Sequence, residues 1–99
     1  MIKRKDFIDR LADKGYTKHD ARIIMEDMIL TIREALAEGE SVVFRGFGTF
    51  VVYDSYPRSY VDQHTKEWKV APSVKKPKFV PGKSLRRDVL EGRVREVRS

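Results

Sequence analysis

The sequence contains no cysteine and only two histidines among its 99 residues, and these shortages exclude several kinds of protein. Without cysteine there is no disulfide scaffold, zinc–thiolate site or cysteine nucleophile. His19 and His64 are too far apart and too isolated to form a metal or acid–base site. No apolar run approaches the roughly 20 residues that cross a bilayer, and the charged N-terminus has no signal-peptide core. We therefore expect one small, soluble, cytoplasmic domain over residues 1–99, with no membrane contact.

The sequence also lacks the groupings of residues on which enzymes depend. It has no nucleophile–base pair, no carboxylate pair and no glycine-rich phosphate loop followed by lysine. Neither a third glycine nor a helical pattern follows Gly46-Phe47-Gly48, so this segment is not a dinucleotide-binding loop. We predict that the protein is not an enzyme and has no catalytic residue, cofactor, metal or small-molecule substrate.

Positive charge is concentrated in the second half of the chain. The net charge is +6, yet residues 1–50 contain nine basic and nine acidic side chains, whereas residues 51–99 contain twelve and six. No acidic residue interrupts the run of six cations from Lys75 to Arg87. Such an asymmetry favours a polyanionic partner, most often nucleic acid. A solvated basic face is the alternative interpretation.

A long second helix is the clearest predicted element, after a short helix over residues 3–14. Thr17 suits its N-cap, and Asp20 follows in the first turn. Apolar residues then recur within an arc of about 140°, at positions 21, 24, 25, 28, 29, 32, 35 and 36. We expect the rest of the chain to bury this stripe and Gly39 to end the helix.

Two further aliphatic residues of this helix, Ile23 and Leu30, lie seven residues apart on the opposite face. So small a chain cannot bury two opposed stripes, and a second copy is therefore predicted to cover this one in a homodimer. Two scattered surface aliphatic residues are the alternative.

Strand-like residues follow the helices. β-branched and aromatic residues on both sides of Gly46-Phe47-Gly48 predict a hairpin over residues 41–52. Residues 54–74 mix aromatic and charged side chains with two prolines, which predicts an excursion of two strands that folds back near residues 62–65.

A basic extended segment over residues 75–83 leads into a last helix. Gly82 or Ser84 is expected to cap this helix and Gly92 to end it. Its apolar residues Leu85, Val89 and Leu90 are expected to face inward.

Two motifs at this spacing resemble the bacterial histone-like HU and integration host factor family. They are the hairpin segment Gly46-Phe47-Gly48-Thr49-Phe50 and the segment Pro77-Lys78-Phe79-Val80-Pro81-Gly82-Lys83-Ser84-Leu85. The resemblance covers roughly residues 3–91. It implies an α+β fold, namely an intertwined homodimer with a helical body, a three-stranded antiparallel saddle sheet and extended β-ribbon arms at about residues 53–75. The basic tail over residues 92–99 is an addition to this pattern.

The same resemblance implies histone-like, largely sequence-independent binding of double-stranded DNA by a homodimer, or by a heterodimer with a paralogue, in the nucleoid. The arms would wrap or bend DNA through the minor groove. In the family each arm tip has an Arg-Asn-Pro segment whose proline wedges between base pairs. Here the tip reads Val61-Asp62-Gln63. Tyr60 or Val61 would then wedge and Gln63 would hydrogen-bond to groove edges; the alternative is an HU-fold interaction or coating module with weak or no bending.

Lysine and arginine side chains bind DNA by neutralising phosphates and releasing counterions. Gly82-Lys83-Ser84 at a helix N-terminus adds backbone donors for a phosphate, with an ordinary capped helix start as the alternative. The predicted DNA-binding residues are Arg58, Tyr60, Val61, Gln63, Lys66, Lys69, Lys75, Lys76, Lys78, Lys83, Ser84, Arg86 and Arg87. The predicted dimer-interface residues are Ile23, Leu30, Phe44, Phe47, Phe50 and Phe79. Tyr53, Tyr56 and Trp68 are expected to pack at the base of the arm rather than against bases.

Overall fold

A computed structural model describes residues 1–94 of the chain, so the end of the predicted basic tail, residues 95–99, lies outside the described residues. Three helices and five strands follow one another in the order α1 (Arg4–Ala12), α2 (Lys18–Ala37), β1 (Val42–Phe44), β2 (Gly48–Asp54), β3 (Arg58–Val61), β4 (Trp68–Ala71), β5 (Lys75–Pro81) and α3 (Lys83–Glu91). The α+β class expected from the sequence is confirmed.

Local hydrogen bonds fix the starts of the first two helices. At α1 the Asp6 carboxylate accepts the backbone N–H of Lys3 at 3.1 Å, although the sequence there offers no favoured capping residue. At α2 the Thr17 hydroxyl oxygen accepts the N–H of Asp20 at 3.0 Å, as the sequence predicts. Each bond satisfies a backbone N–H group at the helix start that has no backbone carbonyl partner within the helix.

Two exposed ion pairs connect α1 to α2. The Arg4 guanidinium lies 3.3 Å from a Glu26 carboxylate oxygen, and the Lys18 ammonium lies 3.6 Å from Asp9. Exposed pairs of this kind contribute little to stability. The helices are therefore held together mainly by their apolar faces.

The strands β1, β2 and β5 form a three-stranded antiparallel sheet in the order β1-β2-β5. Its register places Phe50 opposite Phe79, with Val42 of β1 on the other side of Phe50. The rings of Phe50 and Phe79 have centroids 4.8 Å apart, and Phe47 joins them at 5.2 Å from Phe79. These aromatic contacts form the inner face of the sheet.

Two glycines explain the turn between β1 and β2. Gly46 has a φ of +84°, in the left-handed region, and the Phe47 N–H closes the turn on the Phe44 carbonyl at 2.9 Å. A Cβ on Gly48 would lie 2.5 Å from the Phe79 ring and 2.7 Å from the Val80 carbonyl oxygen. Only glycine allows β5 to approach β2 this closely.

The strands β3 and β4 form a separate two-stranded antiparallel sheet, which is the excursion predicted from composition. We call this hairpin, residues 58–71, the arm. Val61 pairs with Trp68 at its distal end and Arg58 with Ala71 at its base. The Ser55 N–H donates to the Val74 carbonyl at 2.9 Å, which holds together the two chain segments that enter and leave the arm.

The expectation that the chain itself buries the broad stripe of α2 is wrong. Among the described residues only Ala21 and Met25 are buried hydrophobic residues, while Ile24, Met28 and Ile29 remain 41%, 51% and 47% exposed. The cause is geometric: the sheet covers only part of one helix face, and the arm contributes nothing to it.

The global dimensions give the same result. The accessible surface is 8993 Å², whereas a compact monomer of 11.6 kDa would expose about 5,800 Å². The radius of gyration is 19.2 Å, against about 13 Å for a compact domain of this length. A single copy is therefore far from compact and exposes much more surface than a folded monomer of this mass. No helix within residues 1–94 is long and apolar enough to cross a membrane.

The expected inward orientation of Val89 and Leu90 in α3 is also wrong, because these residues are 74% and 87% exposed. Leu85 is half-buried, as expected. Leu90 follows Arg86 by four residues and Arg87 by three, so it shares their solvent-exposed face. Gly92 ends the helix as predicted.

Candidate nucleic-acid interface

The outer face of the three-stranded sheet has two exposed lysines. Side chains alternate between faces along a strand, so Lys76 and Lys78 of β5 lie on the face opposite to Phe79. The register places Tyr53 across from Lys76 and Val51 across from Lys78. Within residues 1–94 neither lysine forms an ion pair. Both charges are free to bind a polyanion.

Lys75 has a different environment from its neighbour. It lies on the same face as Asp54, its register partner, and its ammonium is 3.2 Å from an Asp54 carboxylate oxygen. Both side chains are largely exposed, so the pair is weak. The carboxylate nevertheless offsets part of the local charge, which makes Lys75 a poorer phosphate ligand than Lys76.

The N-terminus of α3 is open to an anion. Gly82 is its N-cap, and no side chain of the described residues caps it. The Gly82 N–H donates to the Phe47 carbonyl at 2.9 Å, which anchors the helix start to the hairpin turn. The N–H groups of Lys83, Ser84 and Leu85 have no partner within the helix, and they lie at the positive end of the helix dipole. Backbone donors and a flanking cation are the usual components of a phosphate site.

Three cations share one side of α3. Lys83, Arg86 and Arg87 occupy positions i, i+3 and i+4, so they lie on one helix face. All three are exposed, and none forms an ion pair within residues 1–94. The sequence-predicted helix cations are thus brought together, while Ser84 lies off this face and is half-buried.

The arm has two chemically different faces. The register pairs Tyr60 with Lys69 on one face, which also includes Arg58. We call this the cationic face. The other face, which we call the apolar face, includes Val61 paired with Trp68, and Ser59 paired with Val70. Strand alternation therefore separates Val61 from the other predicted DNA-binding residues of the arm strands.

The turn at the arm tip is organised by Asp62. Its carboxylate accepts the N–H of His64 at 2.8 Å and that of Thr65 at 3.4 Å, as in an Asx turn. The Asp62 N–H donates to the Glu67 carbonyl at 2.9 Å, and Lys66 closes the loop with a left-handed φ of 61°. The sequence alone indicates only that Asp62 places a carboxylate where phosphates would be close. Its structural role is to fix the turn that displays Gln63, His64 and Lys66 to solvent.

The same carboxylate binds Lys69 across the arm. The Lys69 ammonium lies 2.7 Å from an Asp62 carboxylate oxygen. This hydrogen bond, helped by the His64 N–H, lowers the pKa of Asp62 below its ordinary value. The charge of Lys69 on the cationic face is therefore partly neutralised. Arg58 and Lys66 are the arm cations that form no ion pair within residues 1–94.

Trp68 is not at the base of the arm, and the expectation that it packs there is wrong. Its pairing with Val61 places it at the distal end, where it is 75% exposed. Tyr56 is 90% exposed and so packs against little, whereas Tyr53 lies in β2 beside the point where the chain enters the arm. Strict alternation in Trp68-Lys69-Val70 was the signal that could have revealed an exposed apolar face.

The predicted interface phenylalanines line an apolar groove between the helices and the sheet. Phe44, Phe47 and Phe50 form its sheet side, opposite residues of α1 and α2 such as Phe7 and Ile29. Phe79 is half-buried behind them in the ring cluster. Ile23 and Leu30 lie elsewhere: they are 41% and 49% exposed and do not line the groove. Their place in an interface stays a prediction.

Comparisons with known proteins agree with this geometry. A family model described as "Bacterial DNA-binding protein" matches residues 2–90. The chain is 42% identical over 87 residues to the DNA-binding protein HU of Thermotoga maritima, covering 87% of this chain and 97% of that one. The chain belongs to this family. A further member, the integration host factor subunit beta of Methylococcus capsulatus, is 36% identical over 84% of this chain and 90% of its own length.

Solved structures of the family have the same fold. An Anabaena HU–DNA cocrystal structure superposes with a TM-score of 0.74 at 31% identity, covering 84% of this chain and 90% of that one. HU from Thermotoga maritima superposes with a TM-score of 0.61 at 35% identity, over 88% and 97% of the two chains. The family resemblance drawn from the two sequence motifs is confirmed.

Proposed function

We propose that the protein binds double-stranded DNA as a homodimer, largely independently of base sequence, and wraps or bends it as an architectural protein of the nucleoid. The observation that carries this proposal is the grouping of free cations. Lys76 and Lys78 share the outer sheet face, and Lys83, Arg86 and Arg87 share one face of α3. Cations concentrated in this way bind phosphates by releasing counterions, whatever the base sequence.

Dimerisation is supported by the uncovered apolar groove. Phe7, Met28, Ile29 and Phe47 are each about half exposed in a single chain, and they belong to one continuous groove. Soluble proteins rarely leave so large an apolar surface open to water. A second copy of the chain would cover the groove through a self-complementary contact. A heterodimer with a paralogue would cover it equally well.

The arm is suited to reach along a groove of the duplex. It is narrow, extended and cationic on one face, through Arg58 with Tyr60 and Lys69. Binding of this kind reads groove shape and deformability rather than base edges. The remaining predicted contacts, Gln63 and Lys66, lie in the exposed turn at its tip.

A second candidate function is an interaction or coating module that binds DNA with little or no bending. The tip favours this alternative because, as the family resemblance implies, Gln63 replaces the wedging proline. Asp62 also places a carboxylate near the phosphates and holds Lys69, at 2.7 Å. An end-labelled duplex distinguishes the two candidates by energy transfer, since bending brings the duplex ends closer and coating leaves their separation unchanged.

A charge-reversal experiment tests the DNA-binding surface. The double variant Lys83→Glu/Arg86→Glu should lose affinity for every duplex sequence, because both positions face the proposed phosphate path. A matched control, Lys5→Glu/Lys14→Glu, changes the net charge equally at exposed positions in and just after α1. Fluorescence anisotropy of a labelled duplex measures both variants. Equal losses in the two variants, or no loss in the first, would refute the assignment of α3 to the interface.

A further inference from the structure

The apolar face of the arm has no partner within the described chain. Trp68 is 75% exposed and Val70 is 66% exposed, although both lie in a regular strand. Val61 pairs with Trp68 as the last register pair before the tip. Exposed apolar side chains of this size, adjacent on one strand face, indicate contact with another molecule.

The rest of the arm indicates what that molecule is. Lys69 of the cationic face is adjacent to Trp68 in β4, Arg58 shares that face at the base of the arm, and Lys66 lies in the turn beyond Trp68. The arm therefore meets a surface that is both anionic and apolar. In duplex DNA the phosphates supply the anionic part, and the faces of the bases are the apolar surface that lies within reach. Proteins that insert apolar side chains into the minor groove do so between base steps.

We propose that Trp68 stacks on a nucleobase at a partly unstacked step, with Val61 and Val70 packed against the adjoining sugar and base. This inference rests on the proposed binding of duplex DNA and deepens it. Indole offers a flat face for stacking, as aromatic side chains do in proteins that bind unpaired bases. Trp68 thereby takes the place at the arm tip that Gln63, a polar residue, cannot fill.

One consequence concerns the kind of DNA preferred. Opening a base step costs energy, and that cost is smallest where a base is already mismatched or unpaired. The protein should therefore prefer a duplex with a central gap or mismatch over an intact duplex of the same length. The preference should depend on Trp68.

The chain contains a single tryptophan, so its fluorescence reports on Trp68 alone. We expect gapped duplex to quench this emission and to protect the indole from acrylamide, because stacking on a base does both. A labelled duplex measures binding independently by anisotropy. If the duplex binds while the tryptophan emission and its acrylamide quenching stay unchanged, the stacking proposal is refuted and the proposed function stands. If no duplex binds, the proposed function itself fails.

Substitution provides the second readout. Trp68→Ala should weaken binding to gapped duplex by about 5- to 150-fold, the range for loss of one stacked base, and Trp68→Phe should retain most of the affinity. Tyr56→Ala is the matched control, since Tyr56 is 90% exposed and lies outside the arm strands. Equal effects of Trp68→Ala and Tyr56→Ala would overturn the proposal. So would a change in tryptophan emission with protein concentration alone, because it would show that another copy of the chain covers this face.

Discussion

Replacing Lys76 with glutamine should weaken duplex binding far more than the same replacement at Lys75. The two lysines are adjacent in β5 and so lie on opposite faces of the sheet. Lys76 is on the outer face, across from Tyr53. Lys75 lies on the other face, with its ammonium 3.2 Å from the Asp54 carboxylate. Both variants replace a lysine with glutamine, so comparing them tests which face of the sheet meets the DNA.

The magnitude follows from counterion release. Each phosphate contact contributes about 0.9 to the slope of log K against log salt concentration. A dimer presents Lys76 twice, so the slope should become less steep by about 1.8 in Lys76→Gln. At 0.1 M salt this corresponds to a loss of about 60-fold in affinity. Lys75→Gln should change the slope by less than half as much, because its charge is already partly cancelled.

Fluorescence anisotropy of a labelled duplex, repeated over a series of salt concentrations, measures both slopes. Circular dichroism establishes that each variant keeps the fold of the unaltered protein. If Lys75→Gln flattens the slope as much as Lys76→Gln, the outer sheet face is not the surface that meets the phosphates.

Four further outcomes follow from the fold. Gly48→Ala should destabilise the protein by about 1–3 kcal/mol in thermal unfolding, since its Cβ would lie 2.5 Å from the Phe79 ring; an unchanged Tm would contradict this close approach. Asp62→Asn keeps a side-chain oxygen that accepts the N–H groups of the turn but removes the charge that binds Lys69, so duplex affinity should rise. An unchanged or lower affinity would show that the ion pair does not restrain this lysine. Because the pKa of Asp62 is lowered, its charged form stabilises the arm tip at neutral pH. This stabilisation is lost as the pH falls through the lowered pKa. NMR titration of the Asp62 carboxylate measures that pKa. Ile29→Glu should convert the proposed dimer to a monomer in sedimentation analysis, because it places a charge in the apolar groove. A persistent dimer would locate the interface elsewhere.

Much of the fold could be predicted because local chemistry determines it. Thr17 caps α2 through its own hydroxyl, and Gly46 provides the left-handed φ of the hairpin turn. The proline positions and polar composition of residues 54–74 sufficed to predict a two-stranded arm. Each of these features depends on residues that are close together in the sequence.

The errors arose where the outcome depends on what covers a surface. The stripe of α2 has the pattern of a buried face, but periodicity does not say whether this chain or another one buries it. Hence Ile24 and Met28 are exposed in a single copy. Val89 and Leu90 were assigned inward because they are apolar, although Leu90 follows Arg86 and Arg87 at helical spacing and shares their exposed face. Trp68 was misplaced because composition alone does not give strand register, and the register places it at the tip.

The sequence alone was enough to list the cations of the candidate site, but it did not show which acidic side chains lie beside them. The sequence identified Lys69 and Lys75 as cations but not their ion pairs with Asp62 and Asp54. Those contacts join residues on different strands, so they become visible only once the register is known.

The salt dependence of duplex binding by the unaltered protein tests the central claim most directly. Seven cations of each protomer, five on the sheet and α3 together with Arg58 and Lys66 of the arm, set a limit of about −13 for the log–log slope of the proposed dimer. We predict a slope between about −4 and −13 that is the same for two duplexes of unrelated sequence. A flat slope, or binding to one of the two sequences only, would contradict the account.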